Sequence, residues 1–197
     1  MKFLNQLEYG NIPYITMTEL SEEEKQVGKT TTIKNAGCGL CSAVMVADRL
    51  IPNTTFSLND AINLSYEVKA NTKRGTQYKI FAPIFAKKLG LKLEMTDDIK
   101  RVSYALKTGG VVVANVCGDY ENHVGVFSHG GHYVTVINLE EDGKVAVLDP
   151  SIKDGKYDED GRKGKVEVKG EIAVCSLKTL EKDCKMRTPA FYLFWRE

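Results

Sequence analysis

An excess of charge of either sign is missing from this 197-residue chain: 27 Lys and Arg stand against 26 Asp and Glu, a formal net charge of +1 at pH 7. That balance gives no electrostatic drive toward nucleic acid or an anionic membrane. Long apolar runs are missing too; none approaches the ~18 residues of a membrane span. The opening Met1-Lys2-Phe3-Leu4-Asn5-Gln6 lacks the apolar stretch of a secretory signal. The expectation is a cytoplasmic protein, or a secreted one whose leader has been removed. Cysteine is sparse and odd in number, five in all, and only Cys38 and Cys41 are close together, which excludes a secreted disulfide framework. Repeats and low-complexity tracts are absent. What remains fits one domain over 1–197, long enough to bury roughly 70% of its unfolded surface without a covalent staple.

Read along the chain, helices come first and strands second. A short edge strand is expected over Asn11 to Met17, then a polar segment from Glu19 to Lys34. Leu40, Val44, Ala47 and Ile51 make one apolar stripe of a helix that Pro52 ends. Ser57 with Asp60 three residues on marks the start of a second helix running toward Ala70. A third is expected from Gln77 to Leu89, stopped at Gly90, and a fourth from Asp97 and Asp98 to Thr108. The β-branched run Val111 to Val116 reads as a buried strand. Tyr133 to Leu139 and Lys144 to Leu148 form a hairpin around Glu140-Glu141-Asp142-Gly143. Ser151 to Gly164 is charged and Gly-containing, expected as a flexible surface loop. Lys165 to Lys169, Ile172 to Leu177 and Ala190 to Trp195 supply further strands. Helices over about 30–110 and an antiparallel sheet over about 111–197 give an α+β class.

Cys38 stands where the glycine-flanked run Asn35-Ala36-Gly37-Cys38-Gly39 becomes the first long helix. Unpaired N–H groups and the positive end of the dipole favour a thiolate there, and the thiolate is the nucleophile. A base is offered by His132, after Gly130-Gly131, at the head of a strand. Asp149 ends the hairpin that follows. Residues of one strand face differ by two. A four-residue loop at 140–143 sets Val134 opposite Asp149, and a two-residue loop at 142–143 sets Val136 there. Both put His132 and Asp149 on one face; a three-residue loop would separate them. On one face, Asp149 orients the imidazole and stabilises imidazolium. The plainer reading is that Asp149 caps a turn before Pro150.

Thr32 to Ser42 resembles the nucleophile segment of bacterial papain-like peptidases related to the bacteriocin-processing, double-glycine-leader family. Gly131 to Val136, then Asp142 to Pro150, is similar to their base and orienter segments, and Ile84 to Leu91 and the helix into Val111-Val112-Val113 are also similar. The resemblance covers about Asn11 to Trp195. It implies a papain-like fold, thiol-peptidase activity on a peptide or protein substrate without cofactor or metal, and Cys38, His132 and Asp149 as triad. Two departures stand out. Papain-like enzymes usually carry a Gln before the cysteine to help hold the oxyanion, and here Thr32 lies six residues before Cys38. The same offset from Cys41 lands on Asn35, so Thr32 and Asn35 are both oxyanion candidates and Cys41 is an alternative nucleophile. Leu40-Cys41 also replaces the Pro-Thr common in the relatives, and the second thiol so close invites an inactivating disulfide.

Other readings compete. Cys38-Gly39-Leu40-Cys41 is a C-x-x-C at a helix start, as in thiol–disulfide oxidoreductases, although the polar Lys29 to Asn35 lacks the strand they need. His123, His129 and His132 within ten residues suggest a metal site. Asp154 to Gly161 departs from the spacing of an EF-hand loop. Cys117, Cys175 and Cys184 read as passive thiols. A papain-like module that binds peptides without cleaving them is the remaining alternative. In the enzymatic reading the groove runs between the helical and sheet halves, rimmed by 118–130 and 151–164.

Overall fold

The computed structural model describes residues 2–14, 31–72 and 75–197. Two short strands, β1 (Pro13–Tyr14) and β2 (Thr31–Thr32), pair antiparallel. They lead through a single helical turn, α1 (Ile33–Ala36), into α2 (Cys38–Leu50). Of the strand expected over 11–17, residues 15–17 lie outside the described residues, as do 19–30 of the polar segment. Gly37 both ends α1 and caps α2. A Cβ at Gly37 would sit 2.5 Å from Cγ2 and 2.6 Å from the carbonyl O of Ile33, so only glycine lets two helices meet in one residue. Gly39 to Ala47 are all buried, so α2 is a central helix that meets solvent only near its ends.

Around α2 the sequence signals act as their chemistry requires. Ser57 and Asp60 form a reciprocal capping box at the head of α3 (Leu58–Glu67). The helix ends at Glu67, and the chain turns into the small ribbon β3 (Asn71–Thr72) and β4 (Gly75–Thr76). Helix α4 (Tyr78–Leu89) stops at Gly90, whose φ of +62° is the left-handed cap glycine supplies without strain. The next segment, Leu91–Thr96, is a strand, β5, on the edge of the main sheet. Asp98 caps α5 (Ile99–Lys107) by accepting from the Lys100 N–H at 2.8 Å. The chain then runs through β6 (Val111–Val116), β7 (His132–Leu139), β8 (Lys144–Leu148), β9 (Val166–Lys169), β10 (Ile172–Ser176), α6 (Leu177–Cys184) and β11 (Phe191–Arg196).

The seven-stranded sheet has the order β5-β11-β6-β7-β8-β10-β9 with every neighbour antiparallel. Alternate residues of each strand serve opposite faces. Val111, Val113, Leu148, Tyr192 and Phe194 pack with α2, α3 and α4. Val112, Ala114, Val134, Val136, Val145 and Val147 pack on the other side with α5 and α6. Helices therefore cover both faces, and for that reason the β6 valines form an unbroken apolar run. The class is α+β, as expected; besides the short β2, α1 and the β3–β4 ribbon, two longer elements are new. Leu91–Thr96 is a strand after the Gly90 stop. Leu177–Cys184 is a helix, because Ser176 caps it by accepting from the Thr179 N–H at 3.0 Å. Among the described residues no helix is long and apolar enough to cross a membrane.

Candidate active site

The hairpin that carries His132 and Asp149 has the one loop length that should have separated them. The Glu140 N–H donates to Lys144 O at 2.7 Å and the Gly143 N–H to Glu140 O at 3.0 Å, with Gly143 at φ +79°. The tip is thus three residues, 141–143. Leu139 pairs with Val145 and Asn138 with Ala146, but the next pair is Val136 with Val147, followed by Thr135 with Leu148. Ile137 is an extra, unpaired residue. This β-bulge reverses the parity set by the tip. One step further, the ladder brings Asp149 alongside Val134, on the face that also carries His132.

There His132 Nε2 lies 2.8 Å from Asp149 Oδ1. Both side chains are buried, Asp149 completely. With Nε2 turned to the carboxylate, Nδ1 is the ring nitrogen left to face a second partner. The Cys38 thiol, in the first turn of α2, is coupled to this ring, and each group shifts the other's titration. Burial alone would push the imidazolium down; Asp149 and Cys38 outweigh it and hold His132 up at about 9. Loss of water raises the thiol, yet the His132 hydrogen bond and charge, with backbone contacts to Tyr133 and Gly39, bring Cys38 below its ordinary value. The two shifts run in the directions that favour a thiolate–imidazolium pair near neutrality.

Asp149 is held from all sides. The Ser151 N–H donates to Oδ1 at 2.9 Å, and the Ser151 hydroxyl lies 3.2 Å from it. The Tyr157 hydroxyl donates to Oδ2 at 2.6 Å. Lys156 Nζ donates to the same Oδ2 and, at 2.7 Å, to Ser151 Oγ. Burial works to raise the carboxyl, but His132 and Lys156 keep it well below the usual carboxylate range. These three partners come from 151–164, a segment whose charged, Gly-containing composition predicts a flexible surface loop. The structure corrects this: Lys156, Tyr157 and Arg162 are buried, and Arg162 Nε donates to Gly125 O at 2.7 Å. His129 adds an exposed tie, with Nδ1 2.9 Å from Asp119 and Nε2 2.9 Å from Glu159. The two segments flanking His132 and Asp149 are thus bound to one another.

The remaining candidates are dispersed. Cys41 lies in the core, its thiol pushed up chiefly by burial. Cys38 and Cys41 are both free thiols. Thr32 is half-buried in β2 and caps nothing with its side chain; Asn35 is exposed on α1. The three histidines do not cluster. Each goes to a different acid: His123 to Asp183 at 2.8 Å, His129 to Asp119 and Glu159, His132 to Asp149. Among the described residues no group of three His, Cys, Asp or Glu is arranged to hold a metal ion. The oxidoreductase alternative needs a strand leading into Cys38, and among the described residues a helical turn, α1, stands there instead. Cys175 and Cys184 are buried, and burial pushes Cys175 up to about 12. Cys117 donates to Asp183 O at 2.9 Å. A cavity of about 640 Å³, lined by Tyr120, Lys178, Lys182, Arg187 and Phe191, includes none of Cys38, His132 and Asp149. The N-terminal segment joins the site from behind: Gln6 N–H donates to Pro150 O at 2.6 Å and Gln6 Nε2 to Lys34 O at 2.8 Å.

No protein-family model and no curated protein matches this sequence. Solved structures do. The fold is similar to the peptidase domain of Streptococcus ComA, a bi-functional ABC transporter involved in a quorum-sensing pathway: TM-score 0.51, 17% identity, 81% of this chain and 91% of that one covered. It is also similar to a C39-like peptidase from Bacillus anthracis, with TM-score 0.53, 12% identity, and 95% and 96% of the two chains covered. At such identities the likeness is one of fold, and the fold is that of papain-like C39 peptidases.

Proposed function

We propose that this chain, folded as those peptidases are, is a cysteine peptidase with Cys38 as nucleophile, His132 as base and Asp149 as orienter. The observation that supports the reading is the His132 ring at 2.8 Å from a fully buried carboxylate, with the Cys38 thiol coupled to the same ring from the head of α2. His132 takes the thiol proton, and the Cys38 thiolate attacks a peptide carbonyl. The Cys38 N–H, in the first turn of α2, and Thr32 or Asn35 meet the developing oxyanion. The imidazolium then protonates the leaving amine, and water releases the acyl-enzyme. Nothing in this sequence of steps calls for a cofactor. Cys41, in the core with a raised thiol, is not the attacking group in this reading. Residues 1–197 act as one domain whose groove runs between the α2 side and the sheet side.

The test is iodoacetamide labelling at mildly acidic pH with each cysteine quantified by mass spectrometry. Cys38 labels far faster than the other four, and Cys38→Ala removes both the fast label and cleavage of a peptide library. Fast labelling with no cleavage of any peptide converts the reading to a peptide-binding module. Absence of a fast thiol overturns it.

A further inference from the structure

The Asp149 carboxylate is already oriented by neutral donors, the Tyr157 hydroxyl and the Ser151 N–H. Burying a lysine beside it is costly unless the charge has a use, since an ammonium loses far more hydration than a hydroxyl does. Yet Lys156 is 6% exposed in its side chain and directs Nζ at Asp149 Oδ2 and Ser151 Oγ. Its own backbone carbonyl is pinned by Arg162 Nη1 at 3.3 Å.

We propose that Lys156 is a positioning residue whose buried ammonium offsets the Asp149 charge and so sets the pH range over which Cys38 and His132 exist as an ion pair. The proposal rests on the peptidase reading. With Lys156 in place, thiolate, imidazolium, carboxylate and ammonium sum to zero in a dry cluster. Without it the cluster carries one uncompensated negative charge. That charge makes the thiol hold its proton to higher pH and the imidazolium hold its proton to higher pH. Both titrations therefore move in the alkaline direction. The charged and titratable groups facing the cluster are Cys38 and Cys41 from α2, Tyr14 from β1, Tyr78 from α4, Tyr133 from β7, Cys175 from β10, Arg187 beyond α6, and Lys153, Tyr157 and Arg162 from the loop itself. Arg162 is paired with Glu159 at 3.0 Å, which leaves Lys156 as the cation that joins the imidazolium at the carboxylate.

Two titrations on the full chain test this: the pH dependence of Cys38 alkylation by iodoacetamide, and the ring-proton chemical shifts of His132. Lys156→Met shifts both upward by about one pH unit. Lys156→Arg restores the wild-type values, and Tyr157→Phe, which removes a neutral donor to the same oxygen without changing charge, moves both titrations much less than Lys156→Met does. Lys156→Gln replaces the Met variant should that one fail to fold. A folded Met or Gln variant titrating as wild type does, or a Tyr157→Phe shift as large as the lysine's, overturns the proposal and reduces Lys156 to packing. A wild-type Cys38 without fast alkylation instead overturns the peptidase reading on which it stands.

Discussion

Nε2 of His132 meets Oδ1 of Asp149 at 2.8 Å across a hairpin whose three-residue tip alone would have placed them on opposite faces. The unpaired Ile137 restores the match. Deleting Ile137 makes the ladder regular while Thr135 stays opposite Leu148, so the variant keeps fast alkylation of Cys38. It loses stability, because Ile137 is itself largely buried. Deleting Val134 instead, on the site side of the bulge, carries His132 to the other face and abolishes fast alkylation. Equal reactivity of the two deletions contradicts the register account.

On the proposed peptidase reading, the pH dependence of peptide cleavage follows from the site. The thiolate forms below the ordinary thiol range, because His132 brings Cys38 down. The imidazolium needed to protonate the leaving amine survives to about 9. Cleavage rate is therefore a bell whose acidic limb lies below the usual thiol range and whose alkaline limb falls near 9. An alkaline limb near the unperturbed histidine value would mean that Asp149 and Cys38 do not hold the imidazolium as the geometry requires.

Asp149 also bears on stability. Asp149→Ala leaves the Lys156 ammonium buried with no counter-charge, a cost of about 3–5 kcal/mol for a broken buried pair. Asp149→Asn, which still accepts from His132 and Tyr157, costs less. Urea unfolding at pH 7 ranks them. The sign with pH is fixed by the depressed folded-state value: the contribution is present above the unfolded carboxylate value and is lost as acid carries the pH down through the folded one. Wild type thus loses stability on acidification through this range, and Asp149→Asn loses less.

Gly37→Ala places a methyl against the Ile33 side chain and carbonyl. Overpacking of this kind costs about 1–3 kcal/mol. Here it also displaces the head of α2, so slower Cys38 alkylation accompanies the lower melting temperature. A variant with wild-type alkylation would show that the thiol's position does not depend on this junction.

Much of this was legible in the residues. Ser57 with Asp60, Asp98 and Gly90 each act through local chemistry a sequence displays: a hydroxyl or carboxylate one turn from free N–H groups, or a residue free to take positive φ. Cys38 at the mouth of an apolar helix is readable for the same reason. The bulge is not. Ile137 carries no glycine or other turn residue to mark it, and its place follows from matching two strands whose cores are already fixed on both sheet faces. Lys156 and Tyr157 were missed because a Gly-spaced, charged segment has the composition of a solvated loop. Only the carboxylate it wraps around turns a lysine inward, and that carboxylate's burial is decided by tertiary packing. Helix α6 left a faint trace in Ser176 and the Leu177, Leu180, Cys184 spacing, outweighed by the β-branched run before it.

Gln6 links two otherwise separate stretches of backbone, its amide bound to Pro150 O and its side chain to Lys34 O. The first stretch directly follows Asp149 and the second comes four positions before Cys38. The exchange rate of that single amide proton therefore reports how firmly the orienting carboxylate's neighbour is seated, from a residue that takes no part in the chemistry. It offers a solvent-exchange gauge of the site at rest that needs no substrate to read.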